Sequence, residues 1–158
     1  MAMKPTELQI TWMRAALDEA TKCLEFGDVP VGAVVIDETG KIVGVGRNQR
    51  EELNNPLAHA EIQALQKAAV NIGNWRLDDY TIVVTLEPCT MCAGAIVNAR
   101  VKQVVFGADE PKTGAVGSLF DVIRDRRLSH QPEVVVGVLA DQSAELLQKF
   151  FAEKRIES

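Results

Sequence analysis

At 158 residues the chain suits one domain, because folding at this size buries roughly 70% of the surface of the unfolded chain. Hydrophobic residues at 47% and charged residues at 25% are ordinary for a soluble globular protein, and no apolar run approaches the ~20 residues of a membrane span. A net charge of −5 disfavours nucleic-acid partners, for which phosphate contacts supply much of the affinity. That charge is uneven, however. Residues 100–130 hold six basic side chains (Arg100, Lys102, Lys112, Arg124, Arg126, Arg127) against four acidic ones (Asp109, Glu110, Asp121, Asp125). The same window reads equally well as a mixed solvated surface. Three cysteines, two of them in one C-x-x-C, do not make a secreted disulfide framework. With no basic-then-apolar signal pattern at the amino end, the chain is expected to be cytoplasmic.

Thr6-Glu7-Leu8-Gln9 has the T-x-x-Q form of a capping box and predicts a helix start. Met13, Leu17, Ala20 and Leu24 follow on one apolar face, which Ala16 and Cys23 extend, so Cys23 reads as a small buried hydrophobe. Gly27 closes the helix as a left-handed cap. Val31 to Ile36 and Lys41 to Gly46 predict two strands of a hairpin around Asp37-Glu38-Thr39-Gly40. Gly32 in the first strand either weakens it or lets backbone approach a ligand, and the second reading is preferred.

Asn55-Pro56 predicts a helix entry, with the helix running to about Ile72 and burying Ile62, Leu65 and Ala69. A strand is expected over Thr81–Thr85, a helix over Met91–Ala99 and a strand over Gln103–Phe106. Gly107 to Gly117 reads as a loop, Ser118 to Asp125 as a short helix and Glu133 to Val138 as the last strand. A terminal helix capped by Asp141 is expected to reach Arg155. Helices alternating with strands predict an α/β fold with a largely parallel sheet, and no repeat or linker divides the chain.

Two short pieces about thirty positions apart carry the chemistry, His59-Ala60-Glu61 and Pro88-Cys89-Thr90-Met91-Cys92. A histidine nitrogen and two thiolates are ligands that Zn²⁺ prefers, and three protein ligands with one open position distinguish a catalytic zinc from a closed structural one. Glu61 is placed to move protons without holding the metal. Residues two apart do not share a helix face, so His59 and Glu61 have to work from a helix end. Cys89 and Cys92 stand at a second helix start after a strand, with Pro88 in its first turn. The positive end of that helix favours thiolate over thiol. A purely structural zinc and a redox C-x-x-C are the competing readings of the cysteines.

The H-x-E and P-C-x-x-C pair is a signature of zinc-dependent nucleobase deaminases. With Pro30-Val31-Gly32-Ala33-Val34 and Thr85-Leu86-Glu87-Pro88-Cys89-Thr90-Met91-Cys92-Ala93-Gly94-Ala95, the chain resembles the bacterial tRNA adenosine deaminases of the cytidine deaminase superfamily from about Trp12 to Arg155. That resemblance implies a three-layer α/β/α sandwich on a mixed, mostly parallel five-stranded sheet. It implies Zn²⁺ on His59, Cys89 and Cys92, no organic cofactor, and Glu61 as the proton shuttle in converting adenosine to inosine at the wobble position of tRNA. Its expected partner is the anticodon stem-loop, bound by a homodimer.

The resemblance also implies substrate contacts at Asn48, Ala60, Glu110, Lys112 and Phe151. Asn48 could pair with a purine edge or serve only as a turn residue, and Phe150-Phe151 could stack on a base or anchor the last helix. Two departures stand out: Glu110 occupies the place of a usual aspartate, and the basic residues expected after the aromatic pair are thinned to Ala152-Glu153-Lys154-Arg155. The alternative reading is deamination of a free base or nucleoside of the guanine or cytosine kind. A binding subunit that keeps zinc for structure would have no use for Glu61.

Overall fold

The computed structural model describes residues 4–157. Helix α1 (Glu7–Lys22) opens on the reciprocal pairing its sequence predicts. The Gln9 N–H donates to Thr6 Oγ1 at 3.1 Å and the Thr6 N–H donates to Gln9 Oε1 at 2.9 Å, so two otherwise free donors are satisfied. Its end tightens into a 3-10 turn (Cys23–Phe26) closed by Gly27 at φ 74°, a left-handed conformation natural to glycine. Met13, Ala16, Ala20 and Cys23 are buried, but Leu24 is exposed, because the tighter winding of the 3-10 turn rotates it off the apolar face.

Strands β1 (Gly32–Ile36) and β2 (Ile42–Arg47) form the expected hairpin. Asp37 holds its turn by accepting from the Thr39 and Lys41 N–H groups, each at 2.9 Å. A short helix α2 (Arg50–Leu53) follows, then α3 (Ala60–Ile72), β3 (Thr81–Leu86), α4 (Thr90–Asn98), β4 (Gln103–Ala108), β5 (Glu133–Val135) and α5 (Ala140–Glu157). The five strands make one mixed sheet in the order β2-β1-β3-β4-β5. Parallel pairing, expected to predominate, accounts for two of its four ladders, β3–β4 and β4–β5. The β1–β2 and β1–β3 ladders are antiparallel, because β2 is one arm of a hairpin and β3 enters on the other side of β1.

Three layers result. Val34, Ile36, Val83 and Val105 face α1 through Met13 and Ala16. Ala33, Val35, Ile82, Val84, Val104 and Phe106 point the other way, toward α3 and α4, as the two-residue period of strands requires. The start of α5 lies on the α1 side: Gly107 is two residues from Val105, and a Cβ there would stand 3.4 Å from the Ser143 Cβ. Among the described residues no helix is long and apolar enough to cross a membrane.

Several local expectations are corrected. Helix α3 begins at Ala60 and not at Pro56, because Asn55 spends its side chain on a turn, accepting from the Leu57 N–H at 2.9 Å. Residues Ser118 to Asp125 form no helix. Gly117 adopts φ 120° and its N–H donates to the Phe120 carbonyl, and Val116 bridges Asp121. The last strand stops at Val135, short of Gly137 at φ 77°. Asp141 sits in the first turn of α5 and not before it.

Gly32 is the most instructive correction. A Cβ on it would lie 2.0 Å from the Ala16 carbonyl oxygen, so its missing side chain admits the backbone of α1 and not a ligand. The opposite face repeats the device. Ala60, Ala64 and Ala68 form the fully buried stripe of α3; Leu65 is buried as expected, whereas Ile62 and Ala69 are only half-buried. The three alanines lie against β2, where a Cβ on Gly46 would meet the Ala60 carbonyl oxygen at 2.2 Å and one on Gly44 the Ala64 carbonyl oxygen at 2.5 Å. Small residues on both partners bring helix and strand backbones together and fix the height of α3 over the sheet. Gly46→Ala is therefore expected to lower stability by about 3 kcal/mol, the upper part of the range for overpacking, read as a lower urea midpoint. An unchanged midpoint would mean that α3 can move outward without cost.

Candidate active site

The two motifs occupy two helix N-termini on one side of the sheet. His59 is the N-cap of α3, with φ −74° and ψ 153°, and Cys89 is the N-cap of α4, with φ −76° and ψ 179°. An extended N-cap lies outside the helical spiral while its carbonyl already accepts the first helical bond, here from Gln63 N–H at 3.1 Å and Ala93 N–H at 2.8 Å. This half-helical position lets His59 and Glu61 serve one site although they are two apart. Pro88 precedes the N-cap of α4, outside the first turn expected for it.

His59 Nδ1 stands 3.6 Å from Cys89 Sγ and 3.5 Å from Cys92 Sγ. A tetrahedral ion about 2.3 Å from sulfur and about 2.0–2.1 Å from nitrogen would hold such atoms about 3.6 Å apart, so the three residues fit a metal of the zinc type. No other such cluster of three occurs among the described residues, and Cys23 is not part of it. Cys23 is fully buried and its thiol faces the Val31 carbonyl at 3.5 Å.

The electrostatics agree with a ligand set. Cys89 is held at about 3 by the Cys92 thiol, against the effect of burial and with help from His59. Cys92 is pushed up by the Cys89 sulfur and by burial. One thiolate therefore exists before any ion arrives, on the more accessible sulfur. His59 is raised by its contact with Cys89, and Glu61 is raised by burial; Glu61 is only 4% exposed.

A cleft of about 310 Å³ opens in front of this group, and Asn48, Ala60, Glu61, Glu110 and Phe151 line it with His59 and Cys89. Asn48 is buried; its Nδ2 donates to the Val29 carbonyl at 3.1 Å and its Oδ1 accepts from the Arg50 N–H at 3.2 Å. Phe150 is buried and Phe151 is 45% exposed, their rings edge to face at 5.3 Å, so one ring anchors α5 while the other reaches the cleft. Lys112 is exposed and stands outside the lining, and its backbone N–H donates to Glu110 Oε1 at 3.0 Å.

Arg50, Thr113 and Glu87 also border the cleft and escaped the sequence reading as site residues. Only Glu87 had a signal, a lone acid ending the apolar run Thr81–Leu86. Burial would raise its carboxyl, but hydrogen bonds from Ser118 and from the backbone N–H groups of Glu110, Val116 and Ser118 hold it below the ordinary value.

An α/β/α sandwich with a His/Cys/Cys group at two helix N-termini is the architecture of a deaminase, and residues 8–155 match the MafB19-like deaminase family. A Haemophilus influenzae protein named tRNA-specific adenosine deaminase is 47% identical over 96% of this chain and 88% of its own length. A solved structure from work on A-to-I editing by tRNA:A34 deaminases at the wobble position of transfer RNA is 40% identical. It superimposes with a TM-score of 0.83 over 87% of this chain and 99% of its own. The chain belongs to the family of tRNA-specific adenosine deaminases. The guanine deaminase of Nitrosomonas europaea, 21% identical with a TM-score of 0.80 over 96% of this chain and 87% of its own, shares the fold.

In metal-free protein at pH 6, iodoacetamide is expected to modify Cys89 first. Its thiolate persists down to about pH 3, whereas Cys92 and Cys23 are raised above the ordinary 9.0 and stay protonated. Peptide mass spectrometry reads the order, and equal labelling of all three would contradict it.

Proposed function

We propose that this protein is a zinc-dependent hydrolytic deaminase that converts adenosine to inosine at the wobble position of tRNA. The observation that carries the chemistry is Glu61, a buried carboxylate in the first turn of α3, beside a three-ligand group that opens on a cleft. The likeness to enzymes named for tRNA, over nearly the whole chain, supports the choice of substrate.

Held by His59, Cys89 and Cys92, Zn²⁺ would supply a Lewis acid that brings the pKa of water near neutrality. Glu61 does the proton work. Its raised carboxyl can take the proton of the attacking water, pass it to the ring nitrogen as C6 is attacked, and deliver a proton to the departing ammonia. Water and adenosine are consumed, and inosine and ammonia are formed.

Asn48 orients the base. An amide offers two N–H donors and two acceptor lone pairs, and the contacts to Val29 and Arg50 take one of each, leaving a donor and an acceptor for a purine edge. Ala60 leaves room beside Glu61, and Phe151 offers a ring face for stacking. Lys112, on the rim beside Glu110, takes a backbone phosphate.

The net positive stretch is weaker than its count, since Arg124 pairs with Asp121 and Arg127 with Asp125. Among the described residues no ion pair involves Lys102, Lys112 or Arg126, which leaves them for phosphates. The working form in this reading is a homodimer, with the neighbour completing the RNA groove.

Purified protein given a tRNA with an unmodified wobble adenosine is expected to release ammonia and leave inosine at that position, and to leave free guanine and cytosine untouched. Ammonia from a free base, with no inosine in tRNA, would select the free-base alternative. Glu61→Ala is expected to lose at least about a hundredfold in single-turnover rate, the lower end for general acid–base work, while elemental analysis still finds one zinc per chain. A variant that kept a tenth of the wild-type rate would contradict the role of Glu61.

A further inference from the structure

Glu87 closes β3 at the edge of the cleft and is 3% exposed. Its N–H donates to the Ala108 carbonyl at 2.9 Å, so its backbone is fixed to the end of β4. A buried carboxylate needs donors, and every one that Glu87 finds comes from a single segment. Oε1 accepts from the Glu110 N–H at 3.1 Å and from the Ser118 hydroxyl; Oε2 accepts from Val116 N–H at 2.9 Å and Ser118 N–H at 3.1 Å.

That segment is also tied by Ala115 and Val116 in the core and by the Gly114 N–H, which donates to the Glu110 carbonyl at 2.8 Å, yet no regular element orders it. Between Ala108 and Glu133 the chain forms no helix and no strand of the sheet, only turns and isolated bridges, one of them Cys89 to Gly114. The Ala115 N–H donates to the Pro88 carbonyl at 2.8 Å, so the segment also touches the start of the C-x-x-C motif. A Cβ on Gly114 would lie 2.5 Å from Glu87 Cδ and Oε2, so a side chain there would collide with the carboxylate. Residues 110–118 are therefore wrapped round one carboxylate, and two of them, Glu110 and Thr113, face the cleft.

We propose that Glu87 is a positioning residue that holds residues 110–118 as a preformed wall of the substrate cleft, so that the wall stands before substrate enters. The proposal rests on the reading of this cleft as the substrate site. Glu61 and the three ligand residues belong to α3, α4 and their N-caps, and Cys89 meets the wall through the backbone bridge to Gly114 while its thiol faces His59, so loosening the wall weakens substrate binding more than the chemical step. A wall already ordered spares the substrate the entropic cost of ordering it.

Glu87→Gln keeps the shape but replaces one acceptor oxygen with an N–H₂ group aimed at N–H donors. Hydrogen exchange on the zinc-loaded protein reads the loop directly. In the variant the Glu110, Val116 and Ser118 amides are expected to exchange about tenfold faster or more, while α1 and α3 keep their wild-type rates. With an anticodon stem-loop, KM is expected to rise about tenfold, with kcat nearly kept and zinc content unchanged. Unchanged exchange at the three amides, equal acceleration through the whole chain, or an unchanged KM would each overturn the proposal. Wild-type protein that made no inosine would instead overturn the functional reading, and the exchange comparison would still decide whether Glu87 holds the wall. If Glu87→Gln fails to fold, Ser118→Ala removes one contact alone. Faster exchange at Val116 and Ser118 is then expected, and unchanged rates there overturn the proposal.

Discussion

The N-termini of α3 and α4 aim at the same small volume, and that convergence governs the site. Each helix contributes an extended N-cap, His59 or Cys89, and one residue of its first turn, Glu61 or Cys92. The partial positive charge at each helix start favours thiolate and carboxylate there. Burial opposes the charged forms, and the outcome differs from group to group: Cys89 is lowered, Cys92 and Glu61 are raised. A site with one thiolate ready and one carboxyl inclined to hold a proton suits metal binding and proton transfer together.

Convergence requires both helices to sit at a set height over the sheet. For α3 that height comes from glycine against alanine, with Gly44 and Gly46 of β2 under Ala60, Ala64 and Ala68. Gly32 plays the same part for α1 on the opposite face. Backbone packed on backbone leaves no flexible side chain to absorb a shift, so an error in the sheet would be passed to His59. The same rigidity places the cleft beyond the carboxyl ends of β3 and β4, where the chain leaves the sheet and turns free of the ladder.

Three buried carboxylates show how environment separates roles. Asp28 accepts from the Glu51 and Glu52 N–H groups at 2.7 and 3.1 Å and so fastens the start of α2, with Arg50, beside Asn48. Glu87 gathers four donors from the 110–118 loop and stays ionised. Glu61 is raised by its burial, the opposite direction from Glu87. For the two glutamates the balance between burial and hydrogen-bond donors sets the direction.

Much was legible in the sequence, because local rules govern it. The capping box at Thr6, the hairpin around Asp37 to Gly40 and the burial of Cys23 follow from residue types at short spacing, and the two motifs that bring His59, Cys89 and Cys92 together as a group able to hold a metal are each short. The requirement that His59 and Glu61 work from a helix end was a matter of helical period alone. Tertiary structure decided what depends on distant partners. Gly32 reads alike whether it faces a ligand or a helix, and only the position of α1 distinguishes them. Residues 118–125 have helical composition, but the Phe120 carbonyl and the Val122 N–H, which a helix would need, are paired with Gly117 and Ala115 instead. The start of α3 at Ala60 is a local exception, set by Asn55 accepting from the Leu57 N–H two residues on. Glu87 is separated by 23 to 31 positions from the groups it holds, and no period or local motif in a single chain encodes a contact made across that distance.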